Sequence, residues 1–248
     1  MKKVSEAELL QVWNKESESY RDEAVGSPDY LAHFEIVRET LESGLDQLSG
    51  KTLLDVGSGT GITSAYLASL GMKVTLVDIS KKALNFSRQY FKRNKLPVTI
   101  VQENAFSMKF APASFDVVWN GGVIEHFDDA EKAEMIQKMW KLVKPGGMLL
   151  ISVPNARDYP FMLAKKILEL RKKWAFGWED DLTKERLMGL ALQANVKSGH
   201  IFSYNPVVGW WFFPYGKEIT NLLQLNFKNL HKLKSPWGHN LVFSAKKM

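Results

Sequence analysis

Asp55-Val56-Gly57-Ser58-Gly59-Thr60-Gly61 sets an acidic side chain ahead of three alternating glycines, directly after the apolar pair Leu53-Leu54. Glycine lacks Cβ, so such a segment turns tightly and lets a ligand lie against bare peptide. The residues from about Ile62 to Leu70 read as a helix whose partly positive N-terminus points into the same space. That chemistry suits a nucleoside-bearing cofactor. A dinucleotide fingerprint requires G-x-G-x-x-G, and counted from Gly57 its third glycine falls on Ile62.

Two further sites carry compatible chemistry. Asp78 ends the apolar run Val74-Thr75-Leu76-Val77, 21 residues beyond Gly57, with Ile79 beside it. A carboxylate there can accept two hydrogen bonds from a ribose diol. The alternative is a helix N-cap, because Ser80 and a helix follow. The next run closes on Glu103-Asn104-Ala105-Phe106, where the Asn104 amide and the Ala105 N–H can read the edge of an adenine ring. Glu125 and His126 follow a fourth run. They are the candidates for a base or a metal ligand if an acceptor hydroxyl must lose its proton; the alternative is that both only pack and hydrogen-bond locally.

The elements that must position these groups alternate. Strand-like runs recur at Thr52–Val56, Lys73–Asp78, Thr99–Gln102, Phe115–Asn120 and Met148–Val153, separated by helical segments at 61–70, 80–94 and 129–143. This pattern predicts a parallel sheet with helices on both faces. Two helices over 4–24 and 28–49 precede it, broken at Gly26-Ser27-Pro28. Lys144-Pro145-Gly146-Gly147 reads as a sharp helix-to-strand turn. After Val153 the expectation is a basic aromatic helix (159–176), a second helix (183–194), a strand (196–204), an aromatic insert and a last strand (239–246). In the first of these helices Leu163, Ile167, Leu170, Trp174 and Trp178 fall on one stripe, with Lys165, Lys166, Lys172 and Lys173 mostly on the other side. Such a helix either lies in a lipid interface or packs its stripe on its own domain.

Composition excludes several classes. The 248 residues suffice for one enlarged α/β domain, and 45% hydrophobic content fits an ordinary enzyme core. With no cysteine in the chain, disulfides, thiolate metal sites and cysteine catalysis are excluded; the expected compartment is the cytoplasm. The net charge of +6 comes from basic residues spread along the chain, so no nucleic-acid partner is expected. Residues 1–20 are polar, and no run approaches the ~20 apolar residues of a membrane span.

Taken in order, Asp55 to Gly61, Asp78, Asn104-Ala105, the segment Phe115 to His126, and Leu142-Val143-Lys144-Pro145-Gly146-Gly147 resemble the successive motifs of class I S-adenosylmethionine-dependent methyltransferases. The resemblance covers roughly residues 50–155, and the departure from dinucleotide spacing tilts the same way. It implies a Rossmann-like wound sheet of seven strands, the last antiparallel and inserted next to the fifth. It also implies a division into a helical lid (1–49), a cofactor-binding core (50–155) and an acceptor-side elaboration (156–248) of one domain. S-adenosyl-L-methionine is the implied cofactor. Gly57 and Gly59, with Ser58 and Gly61 in the same loop, would pack against its methionine part and Asp78 would hold the ribose. Asn104 and Ala105 would meet the adenine, asparagine standing where the family usually has aspartate. Asn120 would lie near the methionine moiety. Trp13-Asn14-x-x-Ser17-x-x-Tyr20 is similar to an entry motif of these enzymes, which makes Tyr20 either a lid residue or a core tyrosine.

The nearest subgroup by resemblance is the ubiquinone-biosynthesis O-methyltransferases. The similarity rests on Glu125-His126, Ile151-Ser152-Val153-Pro154-Asn155 and His200-Ile201-x-x-Tyr204-Asn205-Pro206. There a Glu-x-x-Glu-His motif gathers a divalent cation. Here Gly122 replaces the first glutamate, leaving two ligands, and no metal is expected. Val207 to Tyr215 holds five aromatics in nine residues, either an acceptor-side lining or a satellite core. Glu179-Asp180-Asp181 reads as a loop leading into a helix start. His33, His200, His231 and His239 receive no role. The expected activity is methyl transfer to a small apolar or aromatic acceptor at oxygen. A nucleotide-dependent oxidoreductase and a non-catalytic cofactor-binding subunit are the alternatives.

Overall fold

The computed structural model describes residues 6–19, 26–223 and 228–248. Its first helices are α1 (Glu6–Ser19) and α2 (Pro28–Glu42). The alternating core then runs β1 (Thr52–Val56), α3 (Ile62–Ser69), β2 (Lys73–Asp78), α4 (Lys81–Arg93), β3 (Val98–Gln102), β4 (Phe115–Gly121), α5 (Asp129–Leu142) and β5 (Val143–Pro154). The C-terminal part adds α6 (Tyr159–Leu170), α7 (Lys184–Gln193), β6 (His200–Tyr204), α8 (Gly216–Leu222), α9 (Lys228–His231) and β7 (Asn240–Lys246).

All seven strands form one sheet in the order β3-β2-β1-β4-β5-β7-β6. Only β7 runs antiparallel to its neighbours, slotted between β5 and β6 as expected. The central strands are buried on both faces and alternate between two apolar layers. Leu54, Val56, Val118, Leu149 and Ile151 pack toward Met135, Ile136 and Met139 of α5 and Leu187 and Leu190 of α7. Leu53, Val117, Trp119, Met148 and Leu150 face the other way, toward Val37 and Leu41 of α2, Leu67 of α3 and Phe91 of α4. Chain order reverses between β1 and β4, so their carboxyl ends leave the crevice where wound sheets bind ligands.

Local chemistry fixes the helix starts. Ser80 accepts from the Ala83 N–H and caps α4, and Asp128 and Glu131 form a reciprocal capping box on α5.

Four sequence expectations need correction. The second helix ends at Glu42 rather than 49. Lys144-Pro145-Gly146-Gly147 is no turn. It is the first part of β5, which starts directly from α5 and slips register against β4 between Phe115 and Val117. Gly147 permits this because a Cβ there would lie 2.6 Å from the Asp116 carbonyl oxygen. The strand expected from 196 begins only at His200. The helix expected over 159–176 stops at Leu170, and Lys172 follows at φ +55°, in the left-handed region that ends helices. The five-residue stripe therefore breaks: Leu163 and Leu170 are exposed, while Lys165, placed on the basic side by periodicity, is 2% exposed.

Candidate functional site

A cavity of about 960 Å³ opens over the carboxyl ends of β1, β2, β4 and β5. Its floor is the glycine loop. Gly57, Gly59 and Gly61 have φ of +70°, +51° and +65°, conformations that side chains disfavour. At Gly57 the packing is as strict as the dihedral, since a Cβ would lie 2.6 Å from Val123. The Gly57 and Ser58 N–H groups both donate to the Val77 carbonyl, which ties the loop to β2. Ser58 Oγ is buried at the cavity with no hydrogen-bond partner among the described residues.

Two carboxylates frame this floor. Asp55 Oδ2 accepts from Ser64 Oγ at 2.6 Å, and burial, with some help from Asp78, pushes its pKa up to about 7. Asp78 is oriented by backbone donors: Gly59 N–H to Oδ2 at 2.8 Å and Ser80 N–H to Oδ1 at 2.7 Å. Burial raises its pKa and those hydrogen bonds oppose the rise. Ser80 holds the cap of α4, so Asp78 is not spent as an N-cap. Ile79, Asn104 and Ala105 line the same end. The Asn104 amide oxygen accepts from the Phe106 N–H at 2.8 Å, which sets the turn after β3.

Asn120 departs from expectation. Its side chain is fully buried and does not line the cavity; Nδ2 donates to the Val56 carbonyl at 2.7 Å, bracing β4 to β1. Trp13 of α1 reaches the cavity and meets the His126 ring edge-on at 5.1 Å. Asn14 accepts from Ser80 Oγ, so α1 lies over the cofactor loop. Tyr20 lies outside the described residues.

The opposite end of the cavity is aromatic. Phe161, Trp174, Phe176 and Phe212 pack edge-to-face or tilted, with centroids 4.9 to 6.1 Å apart. Of the aromatic insert only Val208 and Phe212 line it. Trp210 and Tyr215 are exposed, and Trp211 donates to Thr220. Most of the ring lining comes from α6 and the segment after it, the stretch whose apolar stripe left lipid contact and packing on its own domain as alternatives.

Titratable groups ring this end. Glu125 is buried, and burial, reinforced by Glu179, pushes its pKa up to about 8. His126 Nδ1 donates to the Trp178 carbonyl at 3.0 Å, and burial lowers its pKa to about 4. Near neutral pH the first is largely protonated and the second neutral. Gly122 supplies no side-chain ligand beside this pair, and among the described residues no group of three or more His, Asp or Glu side chains could hold a metal ion. Glu179 and Asp181 hold Lys165 at 3.0 and 2.6 Å, and Asp180 pairs with Lys132 and Arg186. The acidic run is thus a buried ion-pair hub as well as the lead into α7. Sequence reasoning missed His33, Glu179 and His239 in the cavity. No local signal could find them: His33 meets the Tyr204 hydroxyl 171 residues away.

A glycine cradle, an oriented carboxylate and an unpartnered buried hydroxyl fit a nucleoside cofactor with an amino-acid tail. The family model described as "Methyltransferase domain" matches residues 54–151. The chain is 30% identical over 174 residues to the ubiquinone biosynthesis O-methyltransferase of Proteus mirabilis, covering 67% of this chain and 70% of that one. Its counterpart from Pseudomonas paraeruginosa is 30% identical over 184 residues, covering 71% and 78%. The chain belongs to the S-adenosylmethionine-dependent methyltransferases. The methyltransferase also shares its fold with magnesium protoporphyrin IX methyltransferase from Synechocystis PCC 6803 with bound SAH (TM-score 0.66, 14% identity, 98% and 100% covered). A Thermotoga maritima protein named as a possible histamine N-methyltransferase matches similarly (TM-score 0.63, 16% identity, 97% and 100% covered). The oxidoreductase alternative falls with these findings. When bound, S-adenosylmethionine supplies a methyl carbon made electrophilic by its sulfonium, with a neutral thioether as the leaving group.

Proposed function

We propose that this methyltransferase acts on a hydroxyl of an aromatic ring carrying an apolar substituent. The observation that carries the reading is the ring-lined end of the cavity, where Phe161, Trp174, Phe176 and Phe212 form a slot facing the cofactor floor. Aromatic side chains favour stacked or edge-on contact with a ring ligand, and a mostly apolar cavity with few polar groups fixes orientation. The relatives named for ubiquinone biosynthesis transfer to oxygen, which supports the acceptor atom. Alignment of the hydroxyl with the methyl carbon is the main catalytic contribution, on the scale of effective molarities of ~10⁵ M or more.

The same reading has the acceptor entering from an anionic lipid surface. Tyr159, Leu163 and Leu170 on α6 are exposed beside the exposed Trp210, Tyr215 and Ile219, flanked by the exposed cations Lys166, Arg171, Lys172 and Lys173. Among the described residues no helix is long and apolar enough to cross a membrane.

The acceptor assignment is tested by transfer of a radiolabelled methyl group to 4-alkylcatechol and to histamine, under identical conditions. The expected result is a methoxy product from the catechol and none from the amine. N-methylation of histamine with an untouched catechol overturns the reading.

A further inference from the structure

His239 lies in the cavity at the start of β7, between the ring of Phe161 (centroid 4.7 Å, interplanar 81°) and that of Phe212 (5.8 Å). Its Nδ1 is 2.9 Å from Asp158 Oδ2. Asp158 is 1% exposed. A carboxylate only accepts, so Nδ1 carries a hydrogen, and in the neutral imidazole Nε2 keeps its lone pair. No protein partner is found for Nε2 among the described residues.

The imidazole is held unusually firmly. Asp158 Oδ1 accepts from the Phe161 N–H and caps α6, and Gly209 lies so close that any Cβ would collide with that carboxylate. The His239 N–H donates to the Asn205 carbonyl and its own carbonyl accepts from the Asn155 N–H. Asn155 Nδ2 in turn donates to the Pro236 and Gly238 carbonyls at 3.0 and 2.8 Å. The Pro154-Asn155 and Tyr204-Asn205 motifs thus converge on the backbone that carries this side chain. The other cavity histidines lack this arrangement: Nδ1 of His33 meets a tyrosine hydroxyl and Nδ1 of His126 a carbonyl.

We propose that His239, oriented by Asp158, is the general base that takes the proton from the acceptor hydroxyl, a role that rests on the aromatic-hydroxyl reading above. The O–H bond breaks, an N–H bond forms at Nε2, and the electron pair stays on oxygen as the nucleophile for the methyl carbon. The imidazolium, stabilised by Asp158, then returns its proton to solvent. Besides Asp158, the charged group acting on His239 is Glu179, which Lys165 pairs. General-base catalysis contributes typically ~10²–10⁴-fold.

The test uses the full chain at pH 8 with two acceptors, a 4-alkylcatechol that is largely neutral and 4-nitrocatechol, whose hydroxyl is already ionised. His239→Gln should lower kcat for the alkylcatechol by about 10²-fold or more, with KM little moved, and lower it far less for nitrocatechol. Asp158→Asn keeps the cap on α6 but donates to Nδ1, which forces the hydrogen onto Nε2; the same selective loss is expected. The acidic limb of the kcat–pH profile should disappear in both variants, while calorimetric affinity for S-adenosylhomocysteine stays at the wild-type value. Equal losses with both acceptors, or no loss with either, overturn the dyad alone. A wild-type chain that methylates neither catechol overturns the acceptor reading and the base with it.

Discussion

At the scale of single residues, the chemistry is set by which side chains lose water. Glu125 has an ordinary pKa of 4.5 and is pushed to about 8 by burial, with Glu179 adding to the shift. Between those values the unfolded chain releases this proton while the folded chain keeps it. The stability contributed by this group is therefore highest below about pH 4.5, declines as pH rises, and stays lowered above 8. Glu125→Gln is neutral in both states. Thermal melts from pH 5 to 9 should show the variant close to wild type at pH 5 and several degrees higher at pH 9. Asp55, raised to about 7, shifts both proteins alike and cancels in the difference. A gap that is constant with pH would mean that Glu125 ionises normally. The placement of the glycine loop and Asp78 at the cavity was legible in the sequence because it depends on backbone conformation and a strand end a few residues away. His239 was not, because its carboxylate partner lies 81 residues earlier and meets it only across the folded sheet. Asn120 was misread for a related reason. A polar residue at a strand's carboxyl end can face the ligand or brace a neighbouring carbonyl, and only packing decides.

Elements show the same division. The strands from β1 to β4 lie within a residue of the pattern-based expectation because apolar alternation and turn residues both mark them. α6 was placed correctly at its start and wrongly on its faces. Periodicity counted Lys165 as a surface cation, yet three acidic residues in the loop before α7 create a buried place for cations. The helix consequently turns Phe161, Ala164 and Lys165 inward and leaves Leu163 and Leu170 outside. Lys165 is the tie between α6 and this loop. Removing one member of a buried, hydrogen-bonded charge pair leaves its partners uncompensated, at a cost of about 3–5 kcal/mol. Lys165→Met should therefore lower the denaturant midpoint by that equivalent, although methionine fills the same space. Lys166→Met, one residue on and exposed, should change it by less than about 0.5 kcal/mol. Similar midpoints for the two variants would show that the hub contributes nothing to holding α6.

For the whole molecule, the question is how the apolar acceptor proposed above would reach a cavity whose ring-lined end lies under α6. Part of the exposed apolar surface lies on two segments that pack together. α6, with the exposed Tyr159, Leu163 and Leu170, packs on the 208–222 segment, with the exposed Trp210, Tyr215, Ile219 and Leu222, and the same stretches carry the exposed Lys166, Arg171, Lys172, Lys173 and Lys217. Apolar residues with interfacial aromatics and a basic rim match the chemistry of an anionic bilayer surface. The expected outcome is that the chain cosediments with vesicles containing anionic phospholipid at low salt and much less with purely zwitterionic vesicles. Each cation near such a surface adds ~1 kcal/mol, so Lys172→Glu with Lys173→Glu should weaken binding at least on the order of tenfold. Raising the salt should act in the same direction, because the Debye length shrinks from ~10 Å at 0.1 M to ~3 Å at 1 M. Leu163→Glu with Leu170→Glu should abolish the remaining salt-resistant part, which is apolar burial rather than charge. None of these four side chains touches the cavity, so methylation of a detergent-dispersed alkylcatechol should persist in both double variants while turnover of the same acceptor embedded in vesicles falls. A wild-type chain that stays in the supernatant at low salt would sink the lipid route and leave the acceptor to enter from water.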